Sequence, residues 1–423
     1  MSQLIALMPT VKNIFLNGEI HNWYQLVTGY SGELVAGIID EFNIQPGKKV
    51  IDPFCGTGTT LIECKKRDIE SLGIDANPSS CFASRVKTNW NLKGKHLREL
   101  VDELNKVQYV YMRRTKAFKN DPTYEYLENS GMIKRGWISP EPLRKAIAIK
   151  SSINDLPTSK SYKNALKLAL IAEVVSESSN VKFGPELYCG PHKSNSNVFK
   201  GFKKRVNRIA DDLDKIPENS DQTVKVVQGD SRNCVDLLEE IDPGPYAFII
   251  SSPPYPTEHD YTRNSRLELA FLEDVSDKET LQMIKRKMIR SHTKGIYKGD
   301  NDAEFIKDNP EIIRIVDEIN KRVKSKTHGF ARLYSKVIQE YFGGMRRHLI
   351  NIYQLLVPGA KCAYVIGDQA SYLRVYISTA RILSSMANEI GFETIEIRRL
   401  RMRRSTITSN EIEENILIMR KKE

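Results

Sequence analysis

Four consecutive residues, Ser252-Pro253-Pro254-Tyr255, bring together a hydroxyl, backbone carbonyls and an aromatic ring. That set can hold a flat, amine-bearing ring. The ring face stacks on the tyrosine, and the amino hydrogens find acceptors in the hydroxyl and the carbonyls. The run before it, Ala247-Phe248-Ile249-Ile250, reads as a buried parallel strand. Two prolines can neither extend that strand nor enter a helix interior, so the chain leaves the sheet stiffly at this point. A rigid loop at the carboxyl end of a parallel strand is where open α/β sheets place ligands. A Pro-Pro turn with a packing tyrosine is the plain alternative. A second motif decides between the two.

That motif is Val50-Ile51-Asp52-Pro53-Phe54-Cys55-Gly56-Thr57-Gly58-Thr59-Thr60, an apolar strand running into a Gly-x-Gly turn and then a helical segment. Gly56 and Gly58 permit positive φ and close approach of a ligand to the backbone. The following strand, Ser71-Leu72-Gly73-Ile74, ends in Asp75-Ala76, an acid placed to accept hydrogen bonds from a ribose diol. The fuller G-x-G-x-x-G fingerprint of dinucleotide sites is absent, since position 61 is Leu. Asp52 would repel a phosphate, and it suits a cationic ligand such as an ammonium or a sulfonium. A nicotinamide cofactor fits these residues poorly.

Taken together, Asp52-Pro53-Phe54-x-Gly56-x-Gly58-Thr59-Thr60 and Ser252-Pro253-Pro254-Tyr255 resemble the motifs of the S-adenosylmethionine-dependent amino-methyltransferases of DNA. The serine-initiated loop after Ser251 is most similar to the cytosine-N4 branch, adenine-N6 enzymes more often carrying Asp or Asn at the position of Ser252. Val226-Val227-Gln228-Gly229-Asp230-Ser231 resembles the strand-end acid that meets the cofactor adenine. His21-Asn22-Trp23-Tyr24 with Gly29-Tyr30-Ser31 resembles the segment that closes over the methionine moiety. The resemblance implies a doubly wound Rossmann-like α/β methyltransferase sheet with S-adenosylmethionine as cofactor. It implies a cofactor site of Tyr30, Ser31, Asp52, Pro53, Phe54, Gly56, Gly58, Thr59, Thr60, Asp75, Ala76, Asp230 and Ser231. The catalytic loop is Ser252, Pro253, Pro254 and Tyr255, the partner is double-stranded DNA with its target base flipped out, and a cognate restriction endonuclease is a further partner that the resemblance allows.

The elements that must position these motifs divide the chain. Residues 1–94 read as the first half of the methyltransferase core, carrying the cofactor site. Residues 95–222 read as a mainly helical insertion and the candidate target-recognition region. Residues 223–423 complete the core around the catalytic loop, with a second insertion at 257–330. Within this last part a helix is expected over Leu333–Leu356, a strand over Lys361–Asp368 and a helix over 376–390. Two closing strands are expected over Thr394–Met402 and Asn415–Met419.

The 423 residues carry a net charge of +11, which favours a polyanionic partner. Lys285, Arg286, Arg290, Arg401, Arg403 and Arg404 are candidate phosphate contacts. Solvated charge that keeps an edge strand from pairing explains the arginine run equally well. The six cysteines form no C-x-x-C pair and the seven histidines show no ligand spacing, so neither a disulfide framework nor a metal site is expected. A reducing cytoplasm is the expected compartment, no apolar run reaching the length of a membrane span. None of the cysteines follows a proline, which argues against carbon-5 methylation of cytosine through a cysteine nucleophile. Methylation of adenine N6, methylation of guanine N2 in transfer RNA and binding without catalysis are the alternatives.

Overall fold

The computed structural model describes residues 19–25, 29–113, 118–183, 187–216, 223–324, 329–404 and 411–423, the side chains of 108, 113 and 404 apart. In chain order the strands are β1 (Lys49–Asp52), β2 (Glu70–Asp75), β3 (Val181–Phe183), β4 (Leu187–Cys189), β5 (Val224–Gln228), β6 (Tyr246–Ser251), β7 (Leu356–Gly367), β8 (Phe392–Arg404) and β9 (Glu411–Lys421). Seven of them form one sheet in the order β5-β2-β1-β6-β7-β9-β8, and β3 and β4 form a separate antiparallel pair. Strands β5, β2, β1, β6 and β7 run parallel, and β9 is antiparallel to both β7 and β8. The doubly wound α/β sheet expected from the sequence is therefore present.

Period-two side-chain alternation builds a core on each face of this sheet. Val50 and Ile250 point to one face, where they meet Val35, Ile38 and Ile39 of the helix Gly32–Glu41. Their neighbours Ile51 and Ile249 point to the other, towards Tyr341, Phe342 and Ile352 of the helix Tyr334–Gln354. Both faces being covered, β1 and β6 read as continuous apolar runs.

Chain order runs outward from β1 through β2 to β5, returns to β6 beside β1, and then goes the other way to β7. The strand order thus reverses between β1 and β6. The loops after these two strands diverge there and leave a crevice at their carboxyl ends. The glycine turn follows β1 and the Pro-Pro loop follows β6, so topology brings together two motifs that lie far apart in sequence.

The first insertion holds the helices Gly94–Arg113, Pro122–Asn129, Pro140–Asp155, Lys160–Glu173 and Val198–Leu213. Their apolar stripes share one core with Ile62 and Val86 of the central fold and with Leu267–Phe271 of the second insertion. Boundaries shift where backbone chemistry overrides periodicity. Strand β7 begins at Leu356, earlier than expected, and tolerates Pro358 because its register against β6 slips at that end. The helix expected from 376 starts at Thr379, since Gln369 and Ile377 pair as an antiparallel bridge.

Candidate active site

A cavity of about 770 Å³ opens at the β1–β6 crevice. One end is walled by Gly29, Tyr30, Ser31, Pro53, Phe54, Gly56, Thr59, Asp75, Ala76 and Ser231. The other is walled by Ser252, Pro253, Pro254 and Tyr255 together with segments of the second insertion and of β8. Nine of the residues expected at the cofactor and all four of the catalytic loop therefore face one space.

At the first end, the Gly56 N–H donates to Asp75 Oδ2 (2.9 Å) and the Asn77 N–H to Asp75 Oδ1 (2.8 Å). The glycine turn after β1 is thereby latched to the end of β2. Burial pushes the Asp75 carboxyl up to about 6, against the two backbone donors. Gly56 has φ 51°, and a Cβ there would meet nothing within 4 Å, so the turn leaves open space beside its backbone. An open glycine, an acid with unused lone pairs and the Phe54 ring suit a nucleoside bearing a short charged arm. The Phe54 ring is itself steadied edge-on by His348, 4.8 Å between centroids.

Four residues expected at the cofactor lie off the cavity wall. Asp52 is fully buried and accepts from Ser251 Oγ (2.6 Å), the Phe54 N–H (3.1 Å) and the Tyr30 hydroxyl (2.9 Å). Thr60 also hydrogen-bonds that hydroxyl and donates to the Ile250 carbonyl (3.1 Å). A carboxylate this deep must be satisfied by donors. Asp52 thus ties the two motifs and Tyr30 together, and Tyr30, Pro53 and Phe54 form the cavity wall beside it. Gly58 caps the helix Thr59–Lys65 at φ 84°, and a Cβ there would come within 2.3 Å of Ser84 Oγ; its role is close packing of helices. Asp230 is gripped by the Arg232 guanidinium (2.6 Å), leaving Gly229 and Ser231 on the wall. The segment His21–Tyr24 also sits apart from the cavity. Trp23 Nε1 donates to Asp212 (2.8 Å) and the Tyr24 hydroxyl to Glu268.

At the other end the Pro-Pro loop is braced from three sides. The Tyr255 N–H donates to the Tyr261 hydroxyl (2.9 Å) and the Tyr341 hydroxyl donates to the Pro254 carbonyl (2.9 Å). Ser252 Oγ donates to the Val365 carbonyl (3.2 Å), which leaves its lone pairs as acceptors. The Tyr255 hydroxyl lies 3.3 Å from that carbonyl, 3.3 Å from Glu414 and 3.4 Å from Ser252 Oγ. Arg403 lies over the tyrosine ring, 5.5 Å from its centroid, and burial beside Glu414 raises the phenol pKa well above its ordinary value. Among the described residues no hydrogen bond ends on the Pro253 carbonyl.

Of the rest of this wall, the sequence pointed to Lys285, Arg290, Arg401 and Arg403 alone. Thr257, His259, Tyr261, Asn264 and the stretch Lys287–His292 line it from the second insertion. Lys285 also lines it and pairs with Asp260 (2.6 Å), whose carboxyl is held well below the usual range by Lys285 and the nearby His292 despite burial. Glu414, buried at the back of Tyr255, gave no signal in sequence. Arg401 and Arg403 reach the wall from β8 and pair with Glu414, at 2.5 and 3.6 Å. Arg286 packs on the Tyr297 ring, 4.6 Å from its centroid. Arg290 departs from the expected phosphate contact. It is 4% exposed, with its fork closed by Asp300 (2.8 and 2.9 Å) and the Lys285 and Met288 carbonyls, because a loop this irregular needs an internal donor for its backbone. The Arg404 side chain lies outside the described residues. Among the described residues there is no His/Cys/Asp/Glu cluster that could hold a metal, and no helix is long and apolar enough to cross a membrane.

Comparison with known proteins adds to this geometry. Residues 21–85, which carry Tyr30, the glycine turn and Asp75, match the family described as DNA methylase. The Type II methyltransferase M.BsoBI of Geobacillus stearothermophilus is 25% identical over 433 residues, covering 92% of this chain and 81% of its own. The Type II methyltransferase M.AvaI of Nostoc sp. is 25% identical over 406 residues, covering 89% of this chain and 80% of its own. The Type II methyltransferase M.MvaI of Kocuria varians is 28% identical over 254 residues, 55% of this chain and 52% of its own. The chain carries a DNA methylase family domain, is related to several Type II methyltransferases, and is an S-adenosylmethionine-dependent DNA methyltransferase.

Proposed function

We propose that this enzyme methylates the exocyclic N4 amine of cytosine in double-stranded DNA. The observation that carries the reading is the single cavity joining the glycine turn of β1 to the Ser252–Tyr255 loop of β6. Gly56, Asp75, Phe54, Tyr30 and Ser231 would hold S-adenosylmethionine at the first end, which supplies a methyl group activated by its sulfonium. Ser252 Oγ and the Pro253 carbonyl would accept the two amino hydrogens of the target base. Its nitrogen lone pair is delocalised into the ring, and two acceptors on the hydrogens favour a pyramidal nitrogen with the lone pair directed outward. Tyr255 would stack the base, its ring held by Arg403 and its hydroxyl by Glu414. The chain's contribution is positioning and a water-poor wall, with no covalent intermediate. Because a duplex hides the amine, the base has to leave the stack to enter.

Cytosine is favoured over adenine because Ser252 offers a neutral hydroxyl where adenine-directed relatives of this design more often carry an acid or amide. The second insertion is favoured as the target-reading region. Residues 257–295 contribute to the cavity wall, whereas none of the described residues of 95–222 does. This reading extends to a cytoplasmic enzyme working beside a restriction endonuclease that shares its target. The test uses the protein, labelled S-adenosylmethionine and unmethylated DNA or bulk transfer RNA, followed by digestion and mass spectrometry of nucleosides. N4-methylcytosine in DNA is expected. N6-methyladenine alone overturns the choice of base, and label found only in RNA overturns the substrate.

A further inference from the structure

One buried guanidinium joins the two ends of the cavity. Arg232 directly follows the wall residue Ser231 and is 6% exposed. Its Nε donates to both Asp230 oxygens (2.9 and 3.1 Å) and its NH2 donates to Asp230 Oδ2 (2.6 Å). The same NH2 donates to the Arg286 carbonyl (2.7 Å), and NH1 donates to Asp302 Oδ2. Asp302 is 3% exposed and also receives Arg347 (3.2 Å), while its own N–H donates to Glu340 (3.0 Å).

Arg286 and Asp302 bracket the stretch that forms the far wall, Lys287 to His292. Between them Arg290 gathers the Asp300 carboxylate and the Lys285 and Met288 carbonyls into one knot. The far wall is thus closed on itself by Arg290 and fastened at both margins to Arg232, which grows from the cofactor end. Burying an ion network of this kind roughly breaks even in stability against a well-packed apolar core. Its distinctive property is geometric: a planar fork fixes three partners in one orientation.

We propose that Arg232 is a positioning residue that couples the cofactor end to the target-base wall, so that occupancy of the first orders the second. Ligand contact at Gly229 and Ser231 restrains Asp230 and Arg232, and through them the backbone at Arg286 and Asp302. The proposal rests on the assignment of the two cavity ends given above. Reciprocity then requires that a base bound against the ordered wall also favours the bound cofactor.

Hydrogen–deuterium exchange of the full chain, with and without saturating S-adenosylhomocysteine, tests this. Residues 53–58 report the cofactor end. Residues 296–301 report the fastened segment without lining the cavity. In the wild type, both stretches are expected to exchange several-fold more slowly with the ligand. Arg232→Lys keeps a charge but loses the fork, and Asp302→Asn weakens the NH1 arm and the Arg347 contact. Variants that retain a cooperative thermal transition should keep protection at 53–58 and lose it at 296–301. Equal protection of 296–301 in the variants overturns the coupling, and so does absence of that protection in the wild type while 53–58 responds. Absence of protection at 53–58 in the wild type overturns the site assignment, and the proposal with it.

Discussion

The two ends of the cavity are built by different means. Most of the cofactor end is made by short-range chemistry within residues 50–76: a strand, a glycine turn, a helix and the acid closing the next strand, with Tyr30, Ser31 and Ser231 joining from outside. Its hydrogen bonds run between backbone and a carboxylate, and it needs few side chains from elsewhere. The base end draws on β6, β7, β8, β9, the long helix Tyr334–Gln354 and the second insertion. The difference teaches that a site for an invariant cofactor can be local, whereas a site for a target base is assembled from long-range contacts.

Substitutions that break one end and spare the other sharpen this contrast. The largest effect is expected at Gly58. A valine there meets Ser84 and imposes a β-branched residue at φ 84°, each contributing about 1–3 kcal/mol of destabilisation. Gly58→Val should lower the thermal transition steeply and abolish S-adenosylhomocysteine binding in calorimetry. Gly56→Ala has open space around it but must hold a left-handed φ of 51°, so it should fold with a loss of about 1–2 kcal/mol and weaken binding. A Gly58→Val protein as stable as wild type would refute the packing role.

Asp75 comes next. Asp75→Asn removes a charged acceptor and should weaken S-adenosylhomocysteine binding by about 1.5–3 kcal/mol while leaving DNA affinity unchanged. The free carboxyl titrates at about 6, and donors on a bound ligand favour its ionised form. Cofactor affinity should therefore be full above pH 6 and decline as pH falls through 6, with that step absent from Asp75→Asn. Calorimetry across pH 5 to 8 checks the sign.

At the base end, Tyr255→Ala removes a stacking face worth about 1–3 kcal/mol. Initial methylation rates should fall accordingly, with cofactor affinity near wild type. Full activity would overturn the role of the ring. Tyr255→Phe keeps the ring and loses the hydroxyl between Ser252 and Glu414, so a smaller loss of about 1 kcal/mol is expected. The smallest effect belongs to Arg401. Arg401→Gln should flatten the slope of log affinity for DNA against log salt by about 0.9 if the guanidinium meets a phosphate. An unchanged slope would leave it as the partner of Glu414.

Residues 50–76 were legible because their chemistry is local. Glycines need positive φ, an apolar run needs a sheet, and an acid closes the next strand. Asp52 and Gly58 lie off the cavity wall, the one held by buried donors and the other packed against Ser84, which a local reading could not show. Such a reading took Arg290 as a candidate phosphate contact, since nothing in Lys285-Arg286-Lys287 shows that the next arginine turns inward to satisfy a loop. Glu414 and Tyr341 were invisible, each reaching the cavity region from a distant element, and Arg232, though next to Ser231, was invisible because its partners Arg286 and Asp302 lie far along the chain.

The sequence by itself determined the α/β alternation, the two motifs and the cofactor they imply, because strand period, proline and glycine chemistry act within a few residues. Only the tertiary structure decided which side chains share the cavity. The reversal of strand order between β1 and β6 juxtaposes loops far apart in the chain, and burial then dictates which charges must pair with one another and which remain to face a ligand.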